Sequence, residues 1–119
     1  MPDGRVVLIK RDIDPGRGKW SFPAGYVELG ETVRDAAARE TLEEVKTRVR
    51  IVRQVGVYSY PDAGTVTITY LGRVRRGEKP AAGHECSDVM IVRPTEIPWK
   101  QLAFRSTVDA LKDWKRKMK

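Results

Sequence analysis

Apolar residues recur along the chain with two periods, and the two periods predict both strands and helices. Residues 6–9 form a short apolar run rich in β-branched side chains, which predicts a buried strand. Residues 65–71 alternate between polar and apolar and predict another strand. Residues 101–118 carry apolar side chains at helical spacing and predict a terminal helix. The remaining predicted elements are an extended segment at 20–23, a helix that follows the N-cap Thr32 and ends near Val45, β-rich sequence from 49 to 60, and a strand at 89–92.

This order of strand, loop, helix, strands and helix predicts an α+β fold, in which a mixed sheet is sandwiched between helices. A length of 119 residues fits a single domain covering 1–119. No apolar run approaches the roughly 20 residues that cross a bilayer, and the first ten residues lack the pattern of a signal peptide. Cys86 is the single cysteine, so an internal disulfide is excluded. We therefore expect a cytoplasmic protein with no membrane partner.

The net charge of +7 admits anionic partners such as nucleotides, nucleic acid or acidic membrane surfaces. The excess positive charge is concentrated in residues 112–119 and, to a lesser extent, in residues 73–76. Clusters of this kind are most often a solvated helix face or tail. The charge alone therefore disfavours nucleic acid as the main partner.

Three carboxylates on the first predicted helix carry the clearest chemical signal. Glu40, Glu43 and Glu44 stand at i, i+3 and i+4, so they share one face of the helix without a lysine among them. Glu40 and Glu44 also continue the partly apolar stripe of the helix, and carboxylates aimed into a partly buried groove need a counter-charge. Oxygen ligands favour Mg²⁺ or Mn²⁺. From these residues alone, a metal site and a solvated acidic helix face both stay open.

The sequence around this helix resembles the Nudix box, in which a glycine, a glutamate, an Arg-Glu pair and a Glu-Glu pair occur at fixed intervals. The matching residues here are Gly25, Glu31, Arg39, Glu40, Glu43 and Glu44. The pattern departs at Thr41, where an aliphatic residue is usual, and at Lys46 and Thr47, which replace a final glycine and an aliphatic residue. None of these departures removes a carboxylate. The order of elements is also similar to the α/β/α sandwich of the Nudix fold, so the resemblance covers nearly the whole chain.

This resemblance implies a Mg²⁺- or Mn²⁺-dependent hydrolase that cuts a pyrophosphate bond in a small nucleotide. It assigns the metal to Glu40, Glu43 and Glu44, helped by the backbone carbonyl of Ala24 or Gly25. The implied role of Arg39 is to orient the glutamates through charge-assisted hydrogen bonds. Glu31 would support the loop, through Arg39 or a water molecule.

The base that removes a proton from the attacking water is, by the same resemblance, either a box glutamate or a carboxylate on a later loop. Glu85 stands just before the last predicted strand and fits the later loop. His84, the single histidine, is adjacent to Glu85, but a surface position is the more common one for such a residue.

The segments at 18–28 and 96–104 are similar to a Nudix subgroup that acts on ADP-ribose, FAD or NADH-like dinucleotides. Such substrates need an aromatic surface for a stacked ring, worth about 1–3 kcal/mol per base in nucleic-acid binders. Tyr26, Tyr58 and Trp99 are the candidates, whereas Phe104 is expected to pack in the core. A MutT-type hydrolase of nucleoside triphosphates and a non-catalytic module that binds nucleotide or RNA are the alternatives.

Many Nudix domains have a further strand before the one predicted at 6–9. Two explanations follow from the resemblance: the chain is trimmed, or a second copy supplies the missing edge in a homodimer, because an unpaired strand edge invites pairing.

Overall fold

The computed structural model describes residues 4–62 and 64–117, and the α+β class is confirmed. The predicted end of the terminal helix at Met118 lies outside the described residues. The elements follow in the order β1 (Val6–Arg11), β2 (Trp20–Ser21), α1 (Val33–Val45), β3 (Val49–Ser59), β4 (Val66–Val74), β5 (Cys86–Val92) and α2 (Arg105–Lys117), with 3₁₀ turns at Pro94–Glu96 and Trp99–Gln101.

The strands pair in two antiparallel sheets. One sheet has the order β2-β1-β5, and the other is the long ribbon of β3 and β4. The sequence predicts a mixed sheet. Among the described residues, the parallel pairing is one isolated bridge between Trp20 and Leu102. Two register shifts in the ribbon, between Ile51 and Arg53 and between Gln54 and Gly56, bend β3 relative to its partner.

Both faces of β1 are covered. Leu8 and Ile9 are neighbours with almost no exposed surface, and successive strand residues point to opposite faces. Leu8 belongs to the main core, which it shares with Val55 on β3 and with Leu111 and Trp114 on α2. Helix α2 packs against β3, and helix α1 contacts β3, β4 and β5.

Helix α1 begins and ends where the sequence signals predict. The hydroxyl of Thr32 accepts a hydrogen bond from the Asp35 N–H at 3.1 Å and caps the first turn. Lys46 ends the helix in the left-handed conformation, with φ 55° and ψ 37°, and its N–H donates to the Leu42 carbonyl. Glycine adopts this conformation at lower cost, so lysine occupies the position with local strain.

The terminal helix begins four residues later than predicted. Residues 101–104 precede α2 because Leu102 forms the bridge to Trp20, and the Ala103 N–H donates to the Trp20 carbonyl at 2.7 Å. Helical geometry would remove these pairings, so the tertiary contact overrides the local pattern. None of the helices within residues 4–62 and 64–117 is both long enough and apolar enough to cross a membrane.

Candidate active site

Arg39 is the centre of the site and joins the loop before α1 to the helix. Its Nε and Nη2 donate to both carboxylate oxygens of Glu31, at 2.7 and 3.1 Å. Its Nη1 donates to Glu40 at 2.7 Å and to Glu43 at 3.2 Å. The Nη2 also donates to the backbone carbonyl of Tyr26 at 3.1 Å. The predicted orienting role of Arg39 therefore has a geometric basis, because the planar guanidinium holds several oxygens at once.

The charges at this centre reinforce one another. The hydrogen bonds from Arg39 hold the pKa of the Glu31 carboxyl below its ordinary value. In return, Glu31 and then Glu40 raise the pKa of Arg39, so both partners stay ionised. Glu31 also accepts the Glu28 N–H at 2.9 Å, which closes the turn of the loop. The carboxylate of Glu28 itself lies 3.5 Å from the Nη1 of Arg39.

Glu44 is the buried carboxyl of the site. It is 7% exposed, and its Oε2 accepts the backbone N–H of Ala24 at 2.8 Å. Burial raises the pKa of Glu44 to about 8; the Ala24 N–H opposes the rise, and the neighbouring Glu40 adds to it. Two carboxyls are therefore held side by side next to the loop, an arrangement that is costly without a proton or a cation between them.

Gly25 is required at its position by the same packing. A Cβ at residue 25 would lie 2.3 Å from the carboxylate of Glu40, closer than side chains approach each other. The box glycine thus gives the Glu40 carboxylate room to lie against the loop backbone. The sequence prediction named the carbonyl of Ala24 or Gly25 as a metal ligand, while the contact that the structure shows for Ala24 is its N–H to Glu44.

Glu43 is the exposed carboxylate of the site, and it shares the Nη1 of Arg39 with Glu40. Its side chain is 47% exposed and lies against Arg39. Within residues 4–62 and 64–117, no three His, Cys, Asp or Glu side chains form a ready-made metal cluster. The structure thus brings Glu40 and Glu44 together and places Glu43 beside them on the Arg39 centre.

The loop that precedes β5 is bound to the C-terminal end of α1. Three of its N–H groups, from Ala81, Gly83 and His84, donate to the carbonyls of Val45, Glu44 and Glu43 at 2.8–2.9 Å. These bonds satisfy carbonyls that a helix end otherwise leaves without partners. We call residues 81–85 the helix-end loop.

Glu85 follows directly in this loop, at a left-handed φ of 59°. Its carboxylate is 44% exposed and lies 3.3 Å from the Nε2 of His84. Cys86 comes next; burial raises the pKa of its thiol to about 11, and the charge of Glu44 adds to the rise. The proposed later-loop carboxylate is therefore held at the same helix end as Glu43 and Glu44.

The three aromatic candidates for substrate contact differ in exposure and in the element that carries them. The side chain of Tyr26 is 82% exposed on the box loop. Tyr58 is 9% exposed, and its hydroxyl donates to Asp113 of α2 at 2.6 Å. Trp99 packs on the main core and lines a shallow groove with lysines of α2. Tyr26 alone lies on the segment that carries the box, and the three contacts stay predictions.

Two contributions to the site were missed from the sequence. Glu28 lies at the Arg39 centre, although its only sequence signal is its place in the glutamate-rich loop. Gly83 lies so close to α1 that a Cβ would be 2.2 Å from the Glu43 carbonyl. A glycine just before His84 and Glu85 was the available signal for this close approach.

Known proteins match the chain throughout its length. A family model described as the NUDIX domain matches residues 1–114. An ADP-ribose pyrophosphatase of Methanocaldococcus jannaschii is 34% identical over 106 residues, which cover 86% of this chain and 61% of that protein. A putative 8-oxo-dGTP diphosphatase of Bacillus subtilis is 31% identical over 94 residues, which cover 79% of this chain and 61% of that protein. The chain thus spans about three fifths of the length of these two relatives.

A solved structure gives the same result. A NUDIX hydrolase from Nitrosomonas europaea superposes with a TM-score of 0.88 at 39% identity, covering 97% of this chain and 66% of that one. The family match, the spacing of the box and the Arg39 centre agree, and the chain belongs to the Nudix hydrolase family.

Proposed function

We propose that the chain hydrolyses the pyrophosphate bond of a nucleoside diphosphate derivative, such as ADP-ribose, FAD or an NADH-like dinucleotide, and releases a nucleoside monophosphate. The observation that carries the proposal is the pair of Glu40 and Glu44 held against the backbone at Ala24 and Gly25. Two carboxyls kept side by side at this cost are suited to a cation that binds the phosphates of a substrate.

The donors fit Mg²⁺ or Mn²⁺, because they are carboxylate oxygens with no sulfur or imidazole among them. Glu40, Glu43 and Glu44 would hold the ion, with the Ala24 carbonyl as a further candidate. When bound, the ion neutralises phosphate oxygens and lowers the pKa of the attacking water. Arg39 fixes Glu40 and Glu43 through its Nη1, so the ligands need little reorganisation.

For proton removal we propose Glu85 or a box glutamate. The helix-end loop fixes the backbone next to Glu85 to the last turn of α1, and the carboxylate is exposed enough to reach a bound substrate. Glu85→Gln tests this assignment: kcat falls by about 10²–10⁴-fold if Glu85 is the base, with KM little changed. His84→Ala is the neighbouring control, and a fall limited to His84→Ala would remove Glu85 from the role.

The substrate class is supported by the relative named as an ADP-ribose pyrophosphatase and by the subgroup-like segments. A second candidate is hydrolysis of nucleoside triphosphates of the MutT type, which the relative named as a putative 8-oxo-dGTP diphosphatase favours. The box is common to both reactions, so the choice depends on residues outside it.

The deciding experiment is product analysis with Mg²⁺ or Mn²⁺ on ADP-ribose, FAD, NADH and a panel of nucleoside triphosphates, each offered separately. We expect AMP from the dinucleotides and little reaction of the triphosphates. Glu44→Gln should lower turnover by more than about 100-fold while nucleotide binding persists. Asp62→Asn, an exposed acid-to-amide change outside the site, should be silent. EDTA should abolish turnover, and re-addition of the metal should restore it.

Release of pyrophosphate from the triphosphates alone would support the second candidate instead. A protein that binds nucleotide or RNA but cuts no diphosphate would contradict both hydrolase proposals and favour a non-catalytic module.

A further inference from the structure

Four arginines form a rectangle on one face of the β3–β4 ribbon, next to the end of α1. The register pairs Arg50 directly with Arg73, and the Arg75 N–H donates to the Arg48 carbonyl one step further along. Arg48 and Arg50 are two residues apart on one side, as are Arg73 and Arg75 on the other. Arg50 and Arg73 are strand residues, and Arg48 and Arg75 directly extend the two strands by one hydrogen-bonded step. Residues two apart in extended backbone share a face, so we infer that all four side chains project from the same face. We call this set the arginine face.

The four arginine side chains are exposed, and their positive charge is almost unpaired. All four side chains are exposed, whereas Val49 and Val74, which alternate with them, are partly buried. Within residues 4–62 and 64–117, one acidic group pairs with the face: Glu78, at 3.9 Å from the Nε of Arg48, whose side chain is 72% exposed.

Like charges placed directly opposite each other destabilise an antiparallel pair. The sequence nevertheless sets two such pairs side by side, Arg48 with Arg75 and Arg50 with Arg73. A bound polyanion would convert this repulsion into attraction. Guanidinium groups suit phosphate in particular, because their planar donors match two phosphate oxygens at once.

The dimensions of the arginine face favour one strand of phosphates. The two rows lie about 5 Å apart at Cβ. Along each row the arginines are separated by roughly 7 Å, which is two residues of strand rise. This spacing lets arginines from both rows reach the same strand of phosphates. No aromatic side chain belongs to the face, so it offers no stacking surface for bases.

We propose that the arginine face binds the phosphate backbone of a single-stranded nucleic acid without sequence preference. The four guanidiniums contact successive phosphates, and the strand passes beside the end of α1. This interaction is independent of the proposed hydrolysis, because the face shares no residue with the box or the helix-end loop.

The test is fluorescence anisotropy of the whole chain with labelled oligouridylate, oligothymidylate and the matching duplex, in EDTA so that no substrate is turned over. For a single strand, each phosphate contact adds about 0.7 to the steepness with which log K falls against log salt concentration. Arg50→Gln/Arg73→Gln should therefore reduce the slope by about 1.4, which corresponds to roughly 25-fold weaker binding near 0.1 M salt. Arg50→Lys/Arg73→Lys keeps the charge and should retain most of the slope.

The matched control is Lys112→Gln/Lys115→Gln, which removes two charges from α2, the other basic surface. We expect this variant to bind single strands like the wild-type chain, and we expect the Arg50 and Arg73 variants to hydrolyse small nucleotides as the wild-type chain does. If both glutamine variants bound the single strand equally weakly, net charge would explain the binding and the proposal would fail. If the α2 variant alone bound more weakly, the binding site would lie on α2 instead. Tighter binding to the duplex or to anionic lipid vesicles, or a marked preference for uridylate over thymidylate, would also overturn the proposal.

Discussion

Gly83→Ala tests how strongly the helix-end loop depends on its close contact with α1. A Cβ at residue 83 would lie 2.2 Å from the Glu43 carbonyl and 3.0 Å from the carbonyl carbon of Glu44. Both neighbours are backbone atoms, so the loop must move instead of a side chain. The φ of Gly83 is outside the left-handed range, and the cost is therefore steric.

The magnitude follows from what the movement breaks. The Gly83 N–H to Glu44 bond of 2.8 Å and the His84 N–H to Glu43 bond of 2.9 Å would both lengthen. Each hydrogen bond contributes about 1 kcal/mol net, and overpacking costs about 1–3 kcal/mol. We expect the free energy of unfolding to fall by roughly 3–5 kcal/mol if both bonds are lost. Turnover should fall as well, because Glu85 would move with the loop.

Urea unfolding measures the loss as a lower midpoint with an unchanged m-value. Gly72→Ala is the matched control, because a Cβ at residue 72 meets Val49 at an ordinary 3.5 Å and glycine is a poor strand residue. If Gly83→Ala were as stable and as active as Gly72→Ala, the close contact would not be holding the loop, and the reasoning would be refuted.

Three further predictions concern the turn, the centre and the helix packing. Lys46→Gly should raise the free energy of unfolding by about 1 kcal/mol, because it removes the cost of a left-handed lysine; an unchanged melting temperature would contradict this. Arg39→Lys should lower turnover by about 10–100-fold, since an ammonium cannot hold several carboxylates in the fixed geometry of a guanidinium. Arg34→Lys on the same helix should leave turnover unchanged. Equal turnover of the two variants in steady-state kinetics would reject the orienting role of Arg39. Burial, and then the hydrogen bond to Asp113, raise the pKa of Tyr58 above that of an unfolded tyrosine, about 10. The protonated hydroxyl therefore stabilises the fold fully below about pH 10, and this stabilisation is lost as the pH rises from there towards the folded pKa. Tyr58→Phe should therefore flatten the alkaline fall in stability, and parallel curves for both proteins would count against it.

Local chemistry made the first helix predictable. Thr32 is a good N-cap, and the left-handed end at Lys46 follows from the position at which the family pattern has glycine. The burial of Glu44 also follows from its place on the apolar stripe, because helical periodicity fixes which face a residue shares. These features depend on neighbours within a few residues.

The remaining features depend on contacts that are distant in sequence. The start of α2 is set by pairing with Trp20, and the place of Gly83 is set by the end of a helix 38 positions before it at Val45. Tyr58 donates its hydroxyl to Asp113, which follows it by 55 positions, and the predicted contact of its ring with substrate stays a prediction. No local pattern encodes such partners, since they arise only when the elements pack.

Arg39 holds the loop before α1 by the side chain of Glu31 and by the main chain of Tyr26, and the second contact leaves the Tyr26 side chain free to vary. Arg39 binds the carbonyl of Tyr26, an atom that every amino acid supplies, while Tyr26 and Leu29 leave their side chains in solvent. A substitution at either position is therefore expected to leave the carboxylates in place. Libraries randomised at positions 26 and 29 should therefore yield folded variants that keep the Arg39 centre, and product analysis of such variants tests the predicted substrate contact of Tyr26.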